Sequence, residues 1–173
     1  MQIENTWVVA DTHWGHNNIV RFCDRPAGHD RLMVARWAET VPADGVVLHL
    51  GDLMYRGGRS WFRDEIAPQL TGREKLLLLG NHDKQTVSYY ASCGFTVVEP
   101  FSIPYGNRLV EFDHYPYSSD EKAPKNVLRV HGHIHTNGYS RGVPTRERHI
   151  NVGVEVLQYR PANLDTLLKG YFS

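Results

Sequence analysis

"KLLLLGNHD", residues 75–83, sets four consecutive leucines and one glycine before an asparagine, a histidine and an aspartate. A strand with one face in water would alternate apolar and polar side chains, and this run does not. It reads as a strand covered on both faces, far shorter than the roughly 20 apolar residues of a membrane span. Three more apolar runs also end in polar residues: "TWVVAD" at Asp11, "GVVLHLGD" at Asp52 and "NVLRVHGHIH" in histidines. Helical patterns lie between them at 29–41, 59–70 and 83–94, with Gly94 placed to stop the last. The second half is mostly β. Residues 96–116 read as strands joined by a turn at Gly106 and Asn107, and 148–157 as a further alternating strand. Residues 160–170 read as a short terminal helix, with Pro161 near its start and Gly170 after its end. Polar loops fill 118–126 and 140–148. A βαβα half followed by a β half predicts a layered α/β domain over 1–173, with its site where the loops converge at the carboxyl ends of the strands.

Composition narrows the function. The 173 residues suffice for one sizeable core. Lys+Arg and Asp+Glu are both 19, so charge gives no case for a membrane or nucleic acid as the main partner. Cys23 and Cys93 form no CxxC motif and read as free thiols. The N-terminal stretch has no basic region followed by a long apolar run, so no signal peptide is expected. Together these point to the cytoplasm. The ten histidines are many for this length, and histidine serves both as metal ligand and as general acid.

The polar residues at the strand ends form one set: Asp11 and His13, then Asp52, then Asn81, His82 and Asp83, then His114, then His133 and His135. Carboxylate, amide oxygen and imidazole recur, with no thiolate. That mix favours divalent manganese, iron, zinc or nickel over a cysteine-based structural zinc. Seven ligand candidates exceed the needs of one ion and suit two, bridged by an aspartate. Two divalent ions less two aspartates leave a surplus of about two positive charges, which draws phosphate oxygens and neutralises charge growing on them.

In their order these blocks resemble the calcineurin-like metallophosphoesterases, whose pattern is D-x-H, GD, GNH[DE], H and GHxH. The chain has "DTH", "GD", "GNHD", "DHYP" and "GHIH", from Asp11 to His135. The nearest likeness is to small bacterial and phage-type phosphoesterases, through "DTHWGHNNI" and "NVGVEVLQYRP". The resemblance implies a β-sandwich flanked by helices, a four-layer α/β/β/α arrangement. It implies that Asp11, His13, Asp52 and His135 hold one ion, and that Asp52, Asn81, His114 and His133 hold the other. Manganese comes first, ahead of iron, nickel or zinc. It further implies that His82 binds no metal but protonates the leaving oxygen after hydroxide at the ions attacks phosphorus, and that Asp83 orients His82. His131, His133 and His135 would share one face of a strand, with His131 set back as packing.

Departures from the resemblance sharpen it. Protein Ser/Thr phosphatases of the superfamily read GDxxDRG and GNHE, whereas this chain reads "GDLMYRG" and "GNHD", which argues against a protein substrate. Arg56 keeps the place of an arginine that meets phosphate, and His16 stands near two ligands; both are candidate substrate contacts. Arg21 and Arg25 read as rim or solvated side chains. A phosphodiester or nucleotide-like substrate is slightly favoured over a phosphomonoester. The rivals are a non-catalytic metal-binding scaffold, against which the intact ligands and acid speak, and a barrel amidohydrolase, for which the chain is too short. Nucleic acid enters as substrate only, and oligomeric state is left open.

Overall fold

The computed structural model describes residues 3–55, 58–117, 124–136, 145–146 and 148–172. The apolar runs form β1 (Thr6–Val9), β2 (Val46–His49) and β3 (Glu74–Leu78), and β4 (Thr96–Val98) follows; all four are parallel neighbours. Leu77 faces the helices on one side of this sheet, while Leu76 and Leu78 face a second sheet on the other. The leucine run is thus covered on both faces as read, except that Leu79 lies past the strand and is exposed.

The second sheet contains β5 (Phe101–Tyr105), β6 (Arg108–Phe112), β7 (Val127–His131), β8 (Thr145–Arg146) and β9 (His149–Asn151), in the order β5-β6-β7-β9-β8. The β5–β6 hairpin turns at Gly106, with φ of 58°. Finally β10 (Ala162–Asn163) returns to the first sheet, antiparallel to β1. Val8, Leu48 and Leu78 from the first sheet meet Val110, Phe112, Leu128, Val130 and Ile150 from the second in one buried cluster.

Helices flank the sandwich: α1 (Ile19–Phe22), α2 (His29–Thr40), α3 (Arg59–Trp61), α4 (Val87–Ser92) and α5 (Leu164–Phe172). Met33 and Trp37 of α2 and Tyr90 of α4 pack on Val9, Val47 and Leu77. Trp37 is 1 % exposed, so truncating it to alanine would cost about 3–5 kcal/mol. Among the described residues no helix is long and apolar enough to cross a membrane.

Several elements differ from the expectations. After α3 the chain widens into a π turn at Phe62–Ile66 and tightens into a 3₁₀ turn at Ala67–Gln69, where Pro68 has no amide to continue an α-helix. Helix α4 begins at Val87 rather than 83, because the Thr86 hydroxyl caps it by accepting from the Tyr89 amide. The strand expected over 148–157 stops at Asn151. Beyond it the backbone crosses to the first sheet, with Ala10 N–H donating to Val152 and Val154 N–H donating to Ala10. Helix α5 starts at Leu164 and contains Gly170, since Ala162 and Asn163 are used in pairing with β1 and Phe172 stacks on Tyr105. Of the two polar loops, 118–123, 140–144 and 147 lie outside the described residues, and Thr145–Arg146 forms β8.

Candidate metal centre

The loops after β1 and β2 are interleaved by backbone bonds. Asp11 N–H donates to Gly51 at 3.0 Å and His13 N–H donates to Asp52 at 3.0 Å. The chain winds left-handed along the way. Asp11, His13, Asp52, His133 and His135 have φ of 58°, 48°, 56°, 74° and 48°. Such a conformation costs a non-glycine residue about 1–3 kcal/mol and persists only where the surroundings enforce it. Five of the seven expected ligands are held this way.

This geometry corrects the reading of the alternating histidines. Strand β7 ends at His131, and His133 and His135 lie in the loop beyond it. They converge through that backbone and not through strand alternation. His131 is fully buried, its Nδ1 2.8 Å from the Gly132 carbonyl oxygen and its ring edge-on to His149 at 5.4 Å. It packs within the second sheet.

The candidate ligand atoms fall around Asp52. Its Oδ2 lies 3.5 Å from His13 Nε2 and 3.6 Å from His114 Nε2. On one side, ligand atoms of Asp11, His13 and His135 lie within 4.8 Å of one another, as do those of Asp11, Asp52 and His114. On the other side, Asn81 Oδ1 is 3.1 Å from His114 Nε2 and 3.0 Å from His133 Nδ1. All seven expected ligands are therefore brought to one place. His114 is set by its Nδ1, 2.7 Å from the Leu50 carbonyl oxygen. Two glycines make the convergence possible. A Cβ at Gly80 would reach His114 at 2.8 Å and overlap the Asp52 carboxylate, and one at Gly132 would meet Asp11 Oδ2 at 2.7 Å.

His82 is exposed, its amide donating to Asp52 Oδ1 at 2.8 Å and its ring centroid 5.2 Å from that of His13. Asp83 does not act as expected. Its carboxylate accepts from the amides of Asp52 (2.7 Å), Leu53 (3.0 Å) and Gly80 (2.8 Å) and from the Tyr90 hydroxyl (3.3 Å). It fastens the "GD" loop to the "GNHD" loop and leaves the His82 ring alone. Burial raises the Asp83 carboxyl to about 6. His16 stands beside the centre, its ring 5.8 Å from that of His13. Arg56 lies outside the described residues.

Two residues were missed in the sequence. Arg25, read as a rim side chain, is 3 % exposed. Its Nη2 donates to the Asp11 carbonyl at 2.5 Å, its Nη1 to that of Thr12 at 2.6 Å, and its Nε to Glu155 Oε1 at 2.8 Å. Glu155 in turn lies 2.9 Å from His135 Nδ1. The signal for Glu155 was there, one carboxylate inside the apolar run "NVGVEVL", since a buried acid needs a partner. Nothing in "RFCDRP" marked Arg25 as that partner. Cys23, a free thiol, has its Sγ within 4.8 Å of ligand atoms of His135 and Glu155.

The residues suit divalent cations. His13 is 2 % exposed, and neither ring nitrogen has a hydrogen-bond partner. Burial, then the fields of His135 and Arg25, hold its pKa below the usual value, which leaves a neutral imidazole with a free lone pair. Asp11 is fully buried, and desolvation pushes its carboxyl up to about 8 against the opposing field of His135. A cation beside it restores the carboxylate. For His135, burial lowers the pKa, but the bonds to Cys23 and Glu155 and the Asp11 charge outweigh it and raise the value to about 10. Cation uptake would therefore release protons here.

Residues 5–167 match the model of the calcineurin-like phosphoesterase family. The uncharacterized protein MJ1445 of Methanocaldococcus jannaschii is 29% identical over 175 residues, covering 98% of this chain and 92% of that one. The gene 66 protein of Mycobacterium phage D29 is 28% identical over 181 residues, covering 88% and 89%. The crystal structure of AQ665, a protein of unknown function from Aquifex aeolicus, superposes with a TM-score of 0.72 at 22% identity, covering 95% of this chain and 97% of that one. That last likeness concerns the fold.

Proposed function

The chain belongs to the calcineurin-like phosphoesterase family, and on that premise we propose that it hydrolyses a phosphoester with two divalent ions, manganese the first candidate. The observation that carries the reading is Asp52 Oδ2, set between His13 Nε2 at 3.5 Å and His114 Nε2 at 3.6 Å. One carboxylate oxygen near two candidate ligand histidines could serve both ions. Asp11, His13, Asp52 and His135 would hold one ion, and Asp52, Asn81, His114 and His133 would hold the other. When bound, such ions supply a strong nucleophile at neutral pH and offset charge on the phosphate oxygens.

The remaining steps belong to side chains. His82 is exposed beside His13 and has its backbone fixed on Asp52, so its ring is free to meet the substrate and give a proton to the leaving oxygen. Asp83 keeps the bridging loop in register through the Asp52 and Leu53 amides. Arg25 does the same for the Asp11–Thr12 backbone. The substrate is a phosphodiester or nucleotide-like ester, acted on by a single domain of 173 residues. A cytoplasmic location suits the free thiols Cys23 and Cys93.

The test combines calorimetric counting of Mn²⁺ with a turnover screen of bis-aryl phosphate, aryl phosphate and cyclic nucleotides under Mn²⁺, Ni²⁺, Zn²⁺ and Mg²⁺. Two ions per chain are expected, with the Asp52→Ala variant failing to hold both. A fully loaded protein that turns over no phosphoester refutes the reading.

A further inference from the structure

Exposed aromatic side chains gather beside the centre. Phe22, Tyr55 and Trp61 are 74, 38 and 38 % exposed, and all three lie near one cleft. The cleft has a volume of about 570 Å³, and His16, Asp30, Tyr55 and Trp61 are among its lining residues. His16 and Tyr55 stack nearly parallel, with centroids 3.9 Å apart and planes inclined by 8°. The Phe22 ring stands 6.3 Å from His16. Trp61 lies against the backbone of two lining glycines. A Cβ at Gly15 would come within 3.4 Å of its ring, and one at Gly58 within 3.5 Å. Water-exposed rings grouped in a concave site mark a place for an apolar or planar ligand.

Resting on the phosphoesterase reading, we propose that this cleft receives the base of a nucleoside phosphate whose phosphate sits at the ions. The position is right, because His16 links cleft and centre with its ring only 5.8 Å from that of the expected ligand His13. An ester at the ions would send one substituent into the cleft, and a pentose would span the gap. The shape is right for a flat ring, which would extend the His16–Tyr55 stack or cover the face of Trp61. The walls are not purely apolar. Asp30 offers a carboxylate, and Asn17 and Asn18 offer amides that can both donate and accept, as base edges require and a plain phenyl ring does not.

The experiment measures binding of adenosine 5′-monophosphate, ribose 5-phosphate and phenyl phosphate to the Mn²⁺-loaded protein by calorimetry. The nucleotide should bind about tenfold or more tighter than either control, as base–aromatic stacking of ordinary strength provides. Tyr55→Ala and Trp61→Ala should each weaken nucleotide binding by about tenfold and leave ribose 5-phosphate nearly unmoved. Tyr55→Phe and Trp61→Phe should keep the preference. Equal affinities for the three ligands in the unmodified protein overturn the inference, as does a preference that survives both alanine substitutions. Turnover of methyl p-nitrophenyl phosphate, which has no base, tests the hydrolytic reading separately. Turnover without base preference overturns only the cleft, and base preference without turnover overturns only the hydrolysis.

Discussion

Replacing Arg25 by methionine removes the guanidinium that supports the centre from behind. Four hydrogen bonds go with it: two to Glu155 Oε1 at 2.8 and 2.6 Å, one to the Thr12 carbonyl at 2.6 Å and one to the Asp11 carbonyl at 2.5 Å. The Glu155 side chain is 3 % exposed and would lose its guanidinium, keeping only the His135 imidazole at 2.9 Å. Breaking a buried ion pair from one side costs about 3–5 kcal/mol, and each orphaned carbonyl adds about 1 kcal/mol. The loss is on the order of 5 kcal/mol, against the 5–15 kcal/mol typical of a whole domain. Urea unfolding followed by circular dichroism reads it as a lowered midpoint at unchanged slope. The same side chain pins the left-handed Asp11–His13 turn, so Mn²⁺ affinity should fall about 10–100-fold in parallel. Pairing the change with Glu155→Met removes both charges. The double variant should be more stable than the sum of the two single losses predicts, by about 2 kcal/mol or more. Strict additivity, or an Arg25→Met protein within 1 kcal/mol of the parent, would refute the argument that this pair is buried and mutually dependent.

Other substitutions probe separate parts. His82→Ala should keep both ions by calorimetry and lose most turnover, about 10²–10⁴-fold, as removal of a general acid does; loss of metal instead would make His82 a ligand. Gly80→Ala places a methyl group 2.5 Å from the Asp52 amide and 2.8 Å from His114. It should cost about 1–3 kcal/mol in thermal unfolding and weaken ion binding at the same time. His49 is fully buried, and desolvation, with the field of His114 behind it, lowers its imidazole to about 3. The unfolded chain then binds the extra proton first, so stability is full above the unfolded value of 6.5 and falls as pH drops toward 3. The complete shift corresponds to about 5 kcal/mol. A His49→Phe protein whose stability falls equally steeply between pH 6.5 and 4 would show that His49 is not the titrating group.

How much of this was readable beforehand depended on the range of the interaction. The leucine run of β3 announced a doubly covered strand because burial on two faces leaves a local record. The ligands were readable because each sits at the end of such a strand, in a short block of distinctive chemistry. His131 was legible as packing, but the shared face expected for the three histidines was not found, because alternation is a property of strands and the strand ends at His131, before the loop that carries His133 and His135. The 148–157 run has the alternation of a strand but changes sheets at Val152, a switch decided by bonds to Ala10. Arg25 and Glu155 are 130 residues apart in sequence. The apolar neighbours of Glu155 show that it needs a partner, but the choice of Arg25 is created by the fold and has no trace in the residues around it.

The left-handed backbone at Asp11, His13, Asp52, His133 and His135 has a consequence for descent as well as for chemistry. At such angles glycine or asparagine is the easier resident, by about 1–2 kcal/mol per position. Selection for a sounder fold and selection for a working centre therefore pull in opposite directions at the same residues. A lineage released from the need for the chemistry would gain firmness by drifting toward small residues at these sites while the sandwich around them stayed intact. The centre would vanish first and the architecture last. In this chain histidine or aspartate stands at all five positions, so the backbone strain is carried at each of them.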